Sequence, residues 1–462
     1  QTTDRRLRTI NFAYDAVNQL VRKTLPGALV TTYQYNTVGD LVTVTDPDSA
    51  LAFTYDGANR LTSAATTGSS NQPDVTVHYT YDKNGNRLTM ADTATAPLTS
   101  YAYDALNRLT RIQNPLSGII DLGYDTLSRR TSTTFPNGVT TNYSYDAASQ
   151  LSALSHQLSA VPFTNFNYTY DNVGNRVSSI QSRASVAVNS PLSYVYDNLY
   201  RLTQATNPLP ANPAETFSYD SLGNRLLRDG QATNAIFDAA NRLLSDENFT
   251  YSYDNNGNLI QKTETTTGTV TDYIYDAENQ LAEIKINGVT IASYLYDGLG
   301  RRIEKAVGAN IARYIYDNED ILLEYNGNNT LQARYTHGPG IDEPLVMERG
   351  GQDYFYHADG LGSIVDLTNT AGTIVQSYVY DSFGNIVAQN GSLTNPYTYT
   401  GREFDPESGL YYYRARYYDP RIGRFLQDDP ISPPINPQAS TGGVSLVFKT
   451  NLQHYFLSSR NA

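Results

Sequence analysis

The 462-residue chain contains no cysteine, which excludes disulfides, a thiol nucleophile and any cysteine-based zinc or iron–sulfur site. It also lacks tryptophan and has only two methionines, a composition unlike that of an ordinary enzyme core. No apolar run approaches the ~18 residues that a membrane span needs. Positive charge is in deficit: 33 Lys and Arg face 46 Asp and Glu, for a net charge of −13. Nucleic acid and anionic membranes both require a basic surface, so neither is expected as a partner. Of the five histidines, His78, His156, His337, His357 and His454, no two stand at metal-ligand spacing. No Ser-His-Asp set or phosphate loop appears in the right context, so the reading includes no metal and no cofactor. The chain starts at Gln1 with no visible leader, and the expectation is a piece of a longer polypeptide, secreted or surface-borne.

What the chain does have is tyrosine, 39 residues of it, organised as a repeat. Tyr-Asp recurs from Tyr14-Asp15 to Tyr380-Asp381, including Tyr103-Asp104, Tyr170-Asp171, Tyr253-Asp254 and Tyr296-Asp297, with degenerate copies such as Phe237-Asp238 and Tyr356-His357. An aromatic often precedes the tyrosine by two places, as Tyr101 does Tyr103, and a period of two places both rings on one face of a strand. Asp followed three places later by Gly, as at Gly174, Gly257 and Gly300, has the preferences of a type I turn with a left-handed residue closing a hairpin. Asn18, Asn59, Asn107, Asn241 and Asn279 replace that glycine elsewhere, asparagine being the next most tolerant residue there. Each unit therefore reads as a β-hairpin with its turn capped by its own aspartate. One hairpin cannot bury its aromatic face alone. About 18 units, or about 36 strands at ~4.8 Å each, give a sheet of about 170 Å, or one ring of roughly 55 Å diameter. The fold class expected is all-β: a long antiparallel sheet of hairpins curling into a spiral, hollow shell. The Thr-, Ser-, Asn- and Pro-rich stretches at 67–74, 93–100 and 207–214 read as surface loops.

The C-terminal part departs from the repeat. Tyr399-Thr400-Gly401-Arg402-Glu403-Phe404-Asp405 leads through Ser408-Gly409-Leu410 to Arg414, then to Arg416-Tyr417-Tyr418-Asp419-Pro420, Gly423-Arg424-Phe425 and Asp428-Asp429-Pro430. Upstream stands Tyr356-His357-Ala358-Asp359-Gly360-Leu361-Gly362-Ser363. Together with the repeat, these runs resemble the YD-repeat (Rhs) family and its Rhs-associated core, over about residues 7–430. The division expected is a YD array at 1–394, the core segment at 395–430 and a divergent tail at 431–462.

The resemblance implies more than the periodicity does. Family shells, related to ABC-toxin C components and teneurins, enclose a C-terminal effector in the bacterial toxins, and their core segment acts as an aspartyl autoprotease. The family motif maps its arginine to Arg416 and its first aspartate to Asp429. The second aspartate has no counterpart, because no Asp or Glu follows Asp429. Two carboxylates must share a proton for this chemistry, so Arg416 and Asp429 read as remnants or as a structural contact, and self-cleavage is not expected. A calcium role for the repeat aspartates is disfavoured, since six or more oxygens must converge. The tyrosines read as rings stacked across strands.

The function expected is a structural, encapsulating shell or shell segment. Alternatives are a tube or filament built through exposed strand edges, a self-processing toxin carrier, and a glycan-binding adhesin, the last on analogy alone. The partners these readings call for are other domains of a parent chain, copies of itself, an encapsulated polypeptide or a surface glycan. Val444, Leu446 and Phe448 alternate as in a strand.

Overall fold

The computed structural model describes residues 1–67, 72–94, 98–184, 191–206, 214–228 and 231–428. Asp429, the 431–462 tail with Val444, Leu446 and Phe448, and residues 68–71, 95–97 and 207–213 of the three predicted loops lie outside the described residues, while the last part of the 93–100 stretch belongs to the strand Leu98–Tyr103. The described chain is an antiparallel meander: a 22-stranded sheet over 2–232, a 16-stranded sheet over 236–390 and a four-stranded sheet over 403–425. Sequential neighbours pair throughout the hairpins, for example Leu98–Tyr103 with Leu109–Asn114.

The turn of each unit is fixed by local chemistry. Asn107 N–H donates to Asp104 O at 3.0 Å, and Asp104 N–H donates to Arg108 O at 3.0 Å. The register slips by one between Ala102 and Tyr103. This is a type I turn closed by a left-handed bulge residue. The bulge position has φ of 93° at Gly174, 90° at Gly257, 87° at Gly300 and 60° at Asn107. Asp104 Oδ1 accepts from the N–H groups of Leu106 and Arg108 at 2.9 and 3.0 Å, while Oδ2 accepts from Arg108 Nε at 2.7 Å. These bonds hold the Asp104 carboxyl below its ordinary value, the Arg108 side-chain bond most of all.

The same groups join each unit to the next. Arg108 Nη1 donates to Asp125 O at 2.9 Å, and its guanidinium lies 4.9 Å from the centre of the Tyr124 ring. Tyr124 Oη in turn reaches back to Leu109 O at 2.8 Å. Where glycine occupies the bulge, the following residue is often asparagine, and it bridges instead. Asn86 Nδ2 donates to Asp82 Oδ2 at 2.7 Å and to Asn107 Oδ1 at 2.9 Å. Hydroxyl-to-carbonyl bonds of the same kind recur from Tyr35 to Leu20 O through Tyr380 to Ile364 O, so a row of tyrosine hydroxyls stitches consecutive hairpins.

The ribbon passes itself within the chain. Arg5 N–H meets Asn256, 251 residues on, and Lys23 meets Glu278, 255 residues on. Further along, Arg87 meets Asp317 at a separation of 230, His156 meets Ala358 O at 202, and Ser382 meets Glu215 at 167. Numbers rise together on both sides, so the two sheets run in the same sense as successive turns of one spiral. The separation shrinks along the chain, so the spiral narrows toward the C-terminal end. The single wide ring expected from strand spacing is thus replaced by two tapering passes. Nesting explains the burial. Tyr79, Tyr101 and Ile112 of the first pass share a core with Ile315, Val346 and Phe355 of the second. The flanking Tyr314, Tyr316, Met347 and Tyr356 point to the opposite face and a separate core.

The plugged end as candidate functional site

Residues 397–428 leave the ribbon and fill the narrow end. The chain turns at Tyr399–Gly401, where Gly401 has φ 69° and packs so closely on Asp342 O that a Cβ would collide. The strands Glu403–Asp405, Leu410–Tyr413, Arg416–Asp419 and Arg424–Phe425 then form the small sheet. Gly409 (φ 72°), Arg414 (φ 58°) and Gly423 (φ 67°) supply its left-handed turn residues.

Alternation gives this sheet two apolar faces. Leu410, Tyr412, Tyr417 and Leu426 pack with Leu243, Tyr251, Leu259, Tyr273, Leu281 and Tyr294 of the second pass. Tyr411 and Tyr418 pack on Tyr399, Phe404, Tyr413 and Phe425. Buried tyrosine hydroxyls usually find a partner, and those of Tyr411 and Tyr418 do. Tyr411 Oη donates to Gly384 O at 2.8 Å, and Tyr418 Oη donates to Phe383 O at 2.9 Å.

Charge fixes the register of the plug. Arg302, on the second pass, is 1% exposed. Its Nη1 donates to Asp405 Oδ2 at 2.5 Å and its Nη2 to Glu403 Oε2 at 2.6 Å. Lys305 Nζ holds the other Asp405 oxygen at 2.8 Å. The guanidinium lies 4.3 Å from the Tyr412 ring centre, and Tyr417 Oη accepts from Nη1 at 3.2 Å. Burial by itself would raise the Asp405 carboxyl, but Arg302 and Lys305 outweigh it and hold Asp405 below its usual value. Glu403 is raised, by burial first.

The plug is gripped around the last turn of the spiral. Arg424 donates to Asn224 Oδ1 at 3.2 Å and to Asn241 O at 2.8 Å. Pro420 O accepts from Asn385, Arg421 O accepts from Arg228, and Arg421 Nη2 donates to Tyr251 Oη at 2.7 Å. Leu259 N–H donates to Leu426 O at 2.8 Å. Arg414 pairs with Asp342, Glu319 and Asp320 at 3.0 to 3.3 Å. Asp419 is buried, and its Oδ1 accepts from Arg421 N–H at 2.9 Å.

The residues singled out in sequence are thus split between sites. Arg416 stacks at 3.9 Å over Phe425, and Asp429, its candidate companion, lies outside the described residues. Tyr103, Tyr170 and Tyr296 belong to the hydroxyl row, bonded to Arg87 O, Leu151 O and Leu281 O. Tyr253 packs around the plug's core. Asp171, Asp254 and Asp297 each accept two backbone N–H groups of their turns. Asp359 does the same in a turn whose bulge residue, Gly362, has φ 86°.

His357 is fully buried, bonded to Thr368 Oγ1 at 2.8 Å. Its ring lies 5.0 Å from that of His156 on the other pass, a pairing that linear spacing could not reveal. Arg302 and Asp405 were also missed as partners, being 103 residues apart. Among the described residues, no group of three or more acidic or histidine side chains is placed to hold a metal. Also among them, no helix is long and apolar enough to cross a membrane.

Known proteins share this architecture. The chain superposes on a Photorhabdus luminescens Tc holotoxin pore structure with a TM-score of 0.71 at 19% identity, covering 91% of this chain and 26% of that one. A TcdB2-TccC3 crystal structure gives 0.61 at 18% identity, over 91% and 27%. In sequence, the chain is 34% identical over 229 residues to a protein named tRNA3(Ser)-specific nuclease WapA, from Bacillus spizizenii, covering 46% of this chain and 9% of the relative. It is 26% identical over 299 residues to double-stranded DNA deaminase toxin A of Burkholderia cenocepacia, covering 57% and 20%. The chain therefore spans only a small part of the curated relatives it matches. The model of the Teneurin YD-shell family matches residues 1–185 and 140–441, and the chain belongs to that family.

Proposed function

We propose that this chain is the closed end of a secreted or surface-borne YD-repeat shell that carries a polypeptide cargo. The observation that carries the reading is the plug. A spiral that narrows and is then filled by its own C-terminal segment, gripped from Asn224 to Asn385, closes one end of whatever it surrounds. The relatives named as a nuclease and as a deaminase toxin support a carrier role. The chain matches only 9% and 20% of those proteins, and their activities are not assigned to it.

The shell is not itself an enzyme in this reading. Arg416 stacks on Phe425, and no carboxylate follows Asp429 in sequence to share a proton with it. The mass of the purified chain is expected to stay unchanged over days of incubation, by intact-protein mass spectrometry. A new C-terminus near residue 430 would overturn this part. The carrier part is tested by placing a folded reporter after Ala462 in the polypeptide as its source cell makes it. Protease should spare the reporter at least 10-fold longer than in the Arg302→Glu variant, whose plug seat is reversed in charge. Equal digestion of the two, with native spectra retained, would remove the carrier reading.

A further inference from the structure

One contact recurs at the step from an arginine-bearing turn to the next turn. Arg108 bonds its own Asp104 Oδ2 through Nε at 2.7 Å, donates through Nη1 to Asp125 O at 2.9 Å, and lies 4.9 Å from the Tyr124 ring centre. Arg201 does the same with Asp197 Oδ2 at 2.7 Å, Asp220 O at 2.7 Å and Tyr219 at 4.9 Å. Arg60, Arg129 and Arg242 repeat it, with ring distances between 4.7 and 5.2 Å. The step from the Asp171 turn to the Asp197 turn is built differently. Asn175 stands where the arginine would, and its Nδ2 donates to Asp171 Oδ2 at 2.8 Å. Elsewhere such an asparagine crosses to an asparagine of the next turn, as Asn86 does to Asn107, Asn224 to Asn241 and Asn258 to Asn279. Opposite Asn175 stands Tyr200, which has no amide to receive it. Between the two turns lies a cavity of about 380 Å³, lined by Asp171, Asn175, Tyr194, Tyr196, Asp197 and Tyr200 together with their neighbours. Asn175 is 7% exposed, whereas Tyr200, at the lip, is half exposed and holds a left-handed φ of 61°. Backbone strain kept at a bulky side chain that buries little of itself points to a binding role.

We propose that this cavity is a vacant guanidinium seat, which binds a guanidinium-bearing ligand from outside the chain through the contacts that Arg108 makes within it. The occupied copies identify the ligand chemistry. The Asp171 carboxylate stands where Asp104 stands, bonded to a neutral amide in place of a guanidinium. Asp197 O accepts Tyr200 N–H within its own turn at 2.9 Å, and a carbonyl oxygen has a second lone pair for the incoming donor. Tyr196 offers the ring face that Tyr124 offers Arg108, and a guanidinium over such a face is attracted by it. Anions are excluded by the two carboxylates of the lining. An ammonium lacks the flat fork that meets a carboxylate, a carbonyl and a ring at once. Two sources share the required chemistry: an arginine side chain of a polypeptide and a free guanidino compound.

The repeat also supplies the test. Asn175→Arg fills the seat from within, as arginine does in the other turns. Binding to the 462-residue chain is measured by titration calorimetry with agmatine, with the peptide acetyl-Gly-Arg-Gly-amide and with its lysine counterpart. Both guanidinium probes are expected to bind the wild type, and each should bind Asn175→Arg about 10-fold more weakly or not at all. That variant should melt no lower than the wild type, since it gains the contacts of Arg108. Tyr200→Gly should weaken binding while relieving the strained backbone, a combination that a purely structural ring would not give. Leu106→Ala, on an exposed turn far along the ribbon, should bind as the wild type does. Tighter binding of the peptide would assign the seat to a polypeptide arginine, and tighter binding of agmatine to a free compound. The proposal is overturned if neither guanidinium probe binds, if Asn175→Arg binds as well as the wild type with its native spectrum retained, or if the lysine peptide binds as tightly as the arginine peptide.

Discussion

At the residue scale, the repeat works by giving one side chain several jobs. Asp104 satisfies two backbone donors and a guanidinium, and that guanidinium also reaches the next turn. Tyr103 contributes a ring and a hydroxyl, which donates to Arg87 O at 3.0 Å. Tyr103→Phe keeps the ring and removes the bond, so a loss of about 1 kcal/mol is expected on urea unfolding. The bulge position makes the opposite case. Tyr200 holds φ 61° and is 49% exposed, so it bears the cost of a left-handed conformation with little packing in return. Tyr200→Gly should stabilise by roughly 0.5–1 kcal/mol, the relief of that strain less the entropy of glycine. A loss of stability would mean that the ring contributes more than its exposure suggests.

At the element scale, the seam between passes buries a pair of histidines. His156 Nδ1 bonds Thr141 Oγ1 at 2.8 Å and Nε2 bonds Ala358 O at 2.9 Å. The strands packed on the pair bring Phe135, Phe163 and the Arg183–Asp366 ion pair, and Thr164 caps Asp366. Burial holds both imidazoles neutral: His156 is lowered to about 4, against the pull of Asp366, and His357 well below its ordinary value. Unfolded histidine takes its proton near 6.5, so below that pH the unfolded chain binds more protons than the folded one. Stability is therefore lost as pH falls from about 6.5, and the His156 contribution levels off near 4, after a loss of roughly 3 kcal/mol. His156→Gln can keep both hydrogen bonds without titrating. Relative to wild type, it should gain about 3 kcal/mol between pH 7 and pH 4 in urea titrations. A pH-independent offset between the two proteins would refute this assignment.

At the scale of the whole molecule, closure depends on a buried charge. Arg302 meets Asp405 and Glu403 inside a cage of tyrosine rings. Removing Arg302 leaves Glu403 without its guanidinium partner and Asp405 with Lys305 alone. Arg302→Met is expected to cost about 3–5 kcal/mol. Hydrogen exchange should place that loss in residues 403–425 and their seat, with the hairpins of 98–184 unchanged. Uniform acceleration across the chain would mean that the plug and the ribbon unfold as one unit.

The hairpins, their turns and their aromatic face were legible in the sequence because every interaction that makes them spans only a few residues. Asp104, Asn107, Arg108 and Tyr124 complete their bonds within one unit or between neighbours. The motif at 399–425 was recognisable as a break in the period, but its seat was not, because Arg302 and Asp405 carry no shared pattern. One signal of nesting was present and unread. The residue between paired aromatics is exposed and small at Thr80, Ala102 and Thr169, and buried and apolar at Ile315 and Val379, as a sheet covered on both faces requires. The sequence by itself determined the repeating hairpin and its inward aromatic face, since both follow from backbone and side-chain preferences within about 25 residues. The number of passes, their taper, the histidine seam and the plugged end were decided only by the tertiary structure, because strand twist accumulates over many units before distant side chains meet.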